Sequence, residues 1–193
     1  MADLAAFYAL FFLVALVWPT FRVWRMTGIN PLVLPSGDSI EGFVGAWFKL
    51  LLLGLGVYLF LGGVAAVAPF GVIDLPWPKG RQIIGIGLLC LSLVWVVVAQ
   101  IQMGKAWRVG IDHAHSTELV ARGLFRLSRN PIFVGMMAQL LGLFLLQPDA
   151  VTLTLVVTAF VLISVQIRQE EAHLLARHGA TYVAFCATVR RWL

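Results

Sequence analysis

Charge is what this chain has least of. Only 12% of its 193 residues are Asp, Glu, Lys or Arg, about half the share of an ordinary soluble domain. With 61% hydrophobic residues and a mean hydropathy of +0.93, the composition is that of an integral membrane protein. Cysteine is almost as scarce. Cys90 falls inside an apolar run and Cys186 in the polar tail, two environments that predict no disulfide and two inert thiols. There is no serine nucleophile elbow, no phosphate-cradling Gly-Lys-Ser/Thr loop and no Gly-x-Gly-x-x-Gly after a strand, which argues against hydrolase, nucleotide-hydrolysing and Rossmann chemistry. No fixed-period repeat or low-complexity linker divides the chain, so residues 1–193 read as one membrane domain. His113-x-His115 has no third ligand at a suitable spacing, and His173 and His178 are five apart, where four would put both on one helix side. No metal is expected.

Long apolar runs are what the chain has instead. Leu4 to Phe21, Phe43 to Val67, Ile83 to Met103, Ile132 to Gln147 and Val151 to Ile167 meet or approach the about 20 residues a crossing needs. They predict an all-α fold of five transmembrane helices, with a three-helix part at 1–103 and a polar-site part at 104–193. The last two runs are short, as tilt, local thinning or an end at a polar pocket would make them. Asp3 is the only charge ahead of the first run, and without a basic leader that run is expected to stay in the mature protein. Pro19 marks either a kink or the end of that span. Glycines 54, 56, 62, 63, 85, 87, 135 and 142 predict close helix packing. Trp18, Trp24, Trp47, Trp77 and Trp107 lie near span ends, as an interfacial belt would place them, with Trp107 set apart by its polar loop.

The basic residues set the orientation. Arg22 and Arg25, the loop residues Lys105, Arg108, Arg122, Arg126 and Arg129, and the tail residues Arg168, Arg177, Arg190 and Arg191 fall on one side of five spans, against Lys79 and Arg81 on the other. The N-terminus is therefore expected outside, and the loop Gly104 to Asn130 and the C-terminus in the cytosol. The net charge of +5 then reflects topology and anionic headgroups, and no nucleic-acid partner is expected. In the tail, Glu171, Leu174, Leu175, His178, Tyr182 and Phe185 suit an amphipathic helix at the interface, weakened by Gly179.

Two polar clusters stand against this background, Arg129-Asn130-Pro131-Ile132-Phe133 and Glu170-Glu171. Asn and Pro are a favoured helix cap and first residue, so the first cluster starts span four. A helix start beside an arginine also attracts a carboxylate or phosphate. The intervening helical hairpin, turning at Pro148-Asp149, brings both clusters to one membrane surface. There the helix start seeks an anion and the two carboxylates seek a cation, and a zwitterionic ligand would satisfy them together.

The set Leu119-Val120-x-x-Gly123-x-Phe125-x-x-x-Arg129-Asn130-Pro131-x-Phe133-x-Gly135, Glu170-Glu171-x-x-Leu174 and Gly179-x-x-Tyr182-x-x-Phe185 resembles the isoprenylcysteine carboxyl methyltransferase and phospholipid methyltransferase family, over roughly Gly104 to the end. The resemblance implies a membrane enzyme that binds S-adenosylmethionine at its cytosolic face, releases S-adenosylhomocysteine, and methylates a lipid-like or small apolar substrate on a carboxylate, amine or thiol. Cofactor contacts are then expected at Thr117, Glu118, Leu119, Val120, Phe125, Arg129, Asn130, Pro131, Ile132, Phe133, Glu170 and Glu171. Arg168 and Glu170 are expected at the catalytic centre, and Gln166 and Arg168 at the substrate. The prenylcysteine enzymes show Arg-His-Pro-x-Tyr where this chain has Arg129 to Phe133, and Phe125 replaces a usual tyrosine. Asn130-Pro131 is similar to the phosphatidylethanolamine N-methyltransferases, and Gln166 stands where an arginine for the substrate carboxylate is expected, with Arg168 the nearest substitute. Membrane lipids are the expected partners, and a bacterial or archaeal plasma membrane the expected location. Two other readings stay open: an NADPH-dependent reductase similar to the sterol reductases, and a non-catalytic membrane subunit or carrier.

Overall fold

The computed structural model describes residues 2–33, 37–64, 68–112 and 118–193. Its elements are helical: α1 (Ala2–Phe12), a π-helical stretch (Leu13–Val17), α2 (Trp18–Thr27), α3 (Ile40–Val64), α4 (Pro78–Met103), α5 (Pro131–Leu146), α6 (Ala150–His178) and α7 (Ala180–Thr188), with two short 3-10 turns in the polar loop. Two isolated bridges, Leu32 with Val109 and Val72 with Asp149, are the β-type pairings among the described residues. Four segments, Ala2–Thr27, Ile40–Gly63, Pro78–Ala106 and Ala150–His178, are long and apolar enough to cross a membrane, and α5 is a shorter apolar helix. The protein is a membrane protein. At 1.5 Å per residue α5 reaches only about 24 Å, less than the about 30 Å of a hydrocarbon core.

The first span does not stop at Pro19. A proline removes its own N–H and crowds the carbonyl four residues back, here that of Ala15, and the helix widens into the π-helical stretch that ends at Val17. Inside hydrocarbon a freed carbonyl needs a partner. Gln100 of α4 supplies it, donating from Nε2 to Ala15 O at 2.6 Å. Gln100→Leu is expected to leave that carbonyl unpaired and cost about 1–3 kcal/mol, seen as a lower melting temperature in detergent. An unchanged melting temperature would contradict the pairing.

The fifth apolar run also extends further than hydropathy suggests. Glu170 and Glu171 lie well inside α6, which continues to His178 and breaks at Gly179, φ 51°. The segment after Ile167 is rich in Glu, Leu and Ala, all strong helix formers, so lost hydrophobicity does not end the helix. The expected amphipathic tail helix from Glu171 is thus two things: the end of α6 and a separate, nine-residue α7. At its other end α6 starts on a capping box. Asp149 accepts from Thr152 N at 2.9 Å while the Asp149 N–H donates to Thr152 Oγ1 at 3.3 Å. Tyr58 of α3 donates its hydroxyl to Asp149.

Two apolar clusters tie the bundle. Tyr8, Leu59, Leu89 and Leu143 join α1, α3, α4 and α5, while Ala159, Ile163 and Ile167 of α6 pack with Phe48, Phe133 and Trp192. Glycine matters in only part of the set the sequence singles out. A Cβ at Gly135 would lie 2.5 Å from Val96 Cγ2, and one at Gly142 3.0 Å from Gly85 O, so α4 and α5 meet through bare backbone. Gly54, Gly56 and Gly87 have nothing within 4 Å and do not mediate packing. Trp107 is also not a belt residue: it is buried, only 3% exposed.

Candidate functional site

The site is built where the start of α5 meets the far end of α6. The loop leading to α5 is pinned on α4: Leu124 N donates to Gln102 Oε1 at 2.7 Å, and Arg122 Nη2 to Gln102 O at 3.1 Å. Gly123 sits between them with φ +57°, and a Cβ there would lie 2.3 Å from the Gln102 side chain. Only glycine fits this position. Asn130 occupies the cap position of α5 but makes no side-chain cap. Its Nδ2 instead donates to Arg191 O at 2.9 Å, Ser128 Oγ donates to the same carbonyl at 3.3 Å, and Arg129 N donates to Arg190 O at 2.9 Å. The C-terminal tail is thereby strapped across the start of α5.

Above the strap the charges meet. Arg129 Nη1 lies 3.3 Å from Glu171 Oε1 and donates to Cys186 Sγ at 2.7 Å. Arg191 grips the same carboxylate bidentately, Nε at 3.0 Å from Oε1 and Nη2 at 2.7 Å from Oε2. Such fork geometry is the strong form of a guanidinium–carboxylate contact. Beside this group is a cavity of about 370 Å³ lined by Arg129, Arg168, Glu171, Ala172, Leu175, Tyr182, Val183 and Cys186. Burial first, and then Cys186 and Glu171, push the Tyr182 phenol well above its usual range, so it faces the cavity as a neutral hydroxyl.

Of the residues the sequence marks, Arg129, Arg168 and Glu171 come together at this cavity. Gln166 Nε2 donates to Glu170 Oε1 at 2.8 Å, one turn apart on α6, and neither lines the cavity. Pro131 is buried and its carbonyl accepts from Trp95 Nε1 at 2.8 Å. Phe133 packs in the α6 core cluster, Phe125 is buried in its 3-10 turn, and Ile132 is half-buried in the first turn of α5. Glu118 is exposed and Leu119 and Val120 are half-buried in the loop, away from the cavity lining. Thr117, His113 and His115 lie outside the described residues. Among the described residues no three His, Cys, Asp or Glu side chains are grouped as metal ligands.

Arg191, Cys186 and Tyr182 are the site residues that the sequence does not assign to the pocket. Tyr182 is visible in it as part of the Gly179-x-x-Tyr182-x-x-Phe185 pattern, whereas Arg191 reads there as one more topogenic charge.

Fold and site together define a helical membrane protein with a zwitterion-lined cavity at one end of its bundle. The sequence model of the phospholipid methyltransferase family matches residues 81–181, just over half of the 193-residue chain. The chain belongs to this family of membrane methyltransferases. No curated protein matches it.

Proposed function

We propose that the protein transfers a methyl group from S-adenosylmethionine to a lipid-like or small apolar acceptor at the cytosolic face of the membrane. In this reading α5 is a fifth crossing, the N-terminus is outside, and the C-terminus is in the cytosol. The observation that carries the reading is the Arg129–Glu171 pair, opposite charges 3.3 Å apart on the wall of a cavity of about 370 Å³. The cofactor's amino-acid end carries one ammonium and one carboxylate, so Glu171 and Arg129 match it charge for charge. A cavity of this size is in the range of small-molecule sites. When bound, the cofactor supplies an electrophilic methyl on sulfonium sulfur.

The chain's own residues would position and shield. Glu171 would hold the ammonium, Arg129 the carboxylate, and Leu175, Tyr182 and Val183 would keep water from the reacting centre. Glu170, fixed by Gln166, places a second carboxylate next along the helix, and Arg168 would orient the acceptor. An in-line displacement needs no covalent enzyme nucleophile, and the one thiol at the pocket, Cys186, is engaged by Arg129 at 2.7 Å.

The test is incubation of the detergent-solubilised protein with methyl-labelled cofactor and membrane extract. Label is expected in the organic-soluble fraction, and about a hundredfold less with Arg129→Ala. Label in no fraction would contradict the proposal.

A further inference from the structure

The carboxylate that faces the cavity is claimed twice. Arg129 Nη1 lies 3.3 Å from Glu171 Oε1, and the Arg191 fork takes both oxygens, at 3.0 Å and 2.7 Å. Two guanidiniums around one carboxylate leave a surplus of positive charge. A cation that approaches Glu171 is therefore opposed until one arginine withdraws.

The two arginines are not held alike. Arg129 is 14% exposed and has a second partner, Cys186 Sγ at 2.7 Å. Arg191 is 40% exposed, and among the described residues its guanidinium bonds to Glu171 alone. Its backbone is fixed by other contacts. Arg191 O accepts from Asn130 Nδ2 at 2.9 Å and Ser128 Oγ at 3.3 Å, while the next residue, Trp192, stacks on Phe160 with planes 20° from parallel. The side chain can turn away while the tail stays strapped. Arg191 reaches Glu171 from outside the ligand cavity: it lines a neighbouring space of about 330 Å³ and not the one bounded by Tyr182 and Cys186. It can withdraw there without crossing the path of a ligand.

We infer that Arg191 is an autoinhibitory latch, a side chain of the protein's own tail that masks Glu171 and swings aside when a cationic ligand group takes the carboxylate. The ligand binds only the unlatched fraction, so its apparent affinity falls in proportion to that fraction. A half-exposed ion pair is weak, and its closed state is favoured by about fivefold at most. A ligand can therefore open it. The identity of the incoming cation as the cofactor's ammonium rests on the proposed function. The masking of Glu171 does not.

Arg191→Gln in the full chain tests it, since the change removes the guanidinium and keeps the carbonyl that holds the tail. Cys186 lines the cavity and reports the charge there once the other free cysteine, Cys90, is replaced by Ala. Its reaction rates are measured in detergent with a trimethylammonium and a sulfonate methanethiosulfonate reagent. Arg191→Gln is expected to raise the ratio of cationic to anionic rate about fivefold, and to leave it nearly unchanged when Glu171→Gln is already present. A rise of equal size in both backgrounds would reflect lost charge alone and overturn the latch. Calorimetric titration of the same proteins with S-adenosylhomocysteine separates the two proposals. Binding about fivefold tighter in Arg191→Gln is the expected result, whereas weaker binding would make Arg191 a residue that positions Glu171, overturning the latch and leaving the methyltransferase reading. A Glu171-dependent rise in the rate ratio without S-adenosylhomocysteine binding in either protein sinks the methyltransferase reading and leaves the latch.

Discussion

Glu171→Gln is expected to weaken binding of S-adenosylhomocysteine by about a hundredfold, or ~2.7 kcal/mol, because one carboxylate does three things. It faces the cavity, it pairs with Arg129 at 3.3 Å, and it takes the fork of Arg191. Glutamine keeps the shape and removes the charge. The Arg129 pair is shielded, both side chains being 14% exposed, so its loss leaves a largely buried guanidinium without its counter-charge. The Arg191 contact is 40% exposed on the arginine side, and solvent limits what it contributes to about 1 kcal/mol or less. The change is therefore expected to lower ligand affinity through the ammonium contact and, separately, stability through the uncompensated Arg129. Calorimetric titration with the melting temperature measured alongside checks this. An unchanged affinity with a large drop in melting temperature would make Glu171 a structural residue only.

The largest effect on folding is expected from Gly142→Val. A single Cβ at Gly142 would stand 3.0 Å from Gly85 O, 3.1 Å from Leu89 Cδ2 and 3.2 Å from Leu88 Cβ. The nearest of these is backbone and cannot turn aside. Two further methyls on a stiff branched side chain push α4 from α5, the helix that carries Arg129 at its start. Overpacking of this kind costs about 3 kcal/mol, expected as a melting temperature lower by several degrees and weaker ligand binding. Gly54→Val is the comparison. Its position is open, and the change is expected to be close to neutral, so a similar fall in both variants would contradict packing as the cause.

How far the sequence reaches depends on what kind of contact makes a feature. The hairpin between Arg129 and Glu171 is legible because it follows from two apolar runs and a turn, and their meeting at 3.3 Å agrees with it. The end of α6 is not, because hydropathy stops at Ile167 while helix propensity continues to His178. Pro19 is ambiguous in the sequence because its outcome depends on Gln100, 81 positions further on, reaching the Ala15 carbonyl at 2.6 Å. Arg191 is hidden for the same reason. A tail arginine after an apolar helix looks like topology, and only the fold brings it to Glu171. Asn130 is half legible. It does stand at a helix start, but its side chain holds the tail instead of capping α5.

The most direct measurement is calorimetric titration of the purified, folded protein in detergent with S-adenosylhomocysteine, with NADPH run in parallel. Saturable binding of S-adenosylhomocysteine alone, lost in the Glu170→Gln, Glu171→Gln double variant, is the predicted result. Binding of NADPH alone, of neither ligand, or of S-adenosylhomocysteine with unchanged affinity in the double variant would contradict the account.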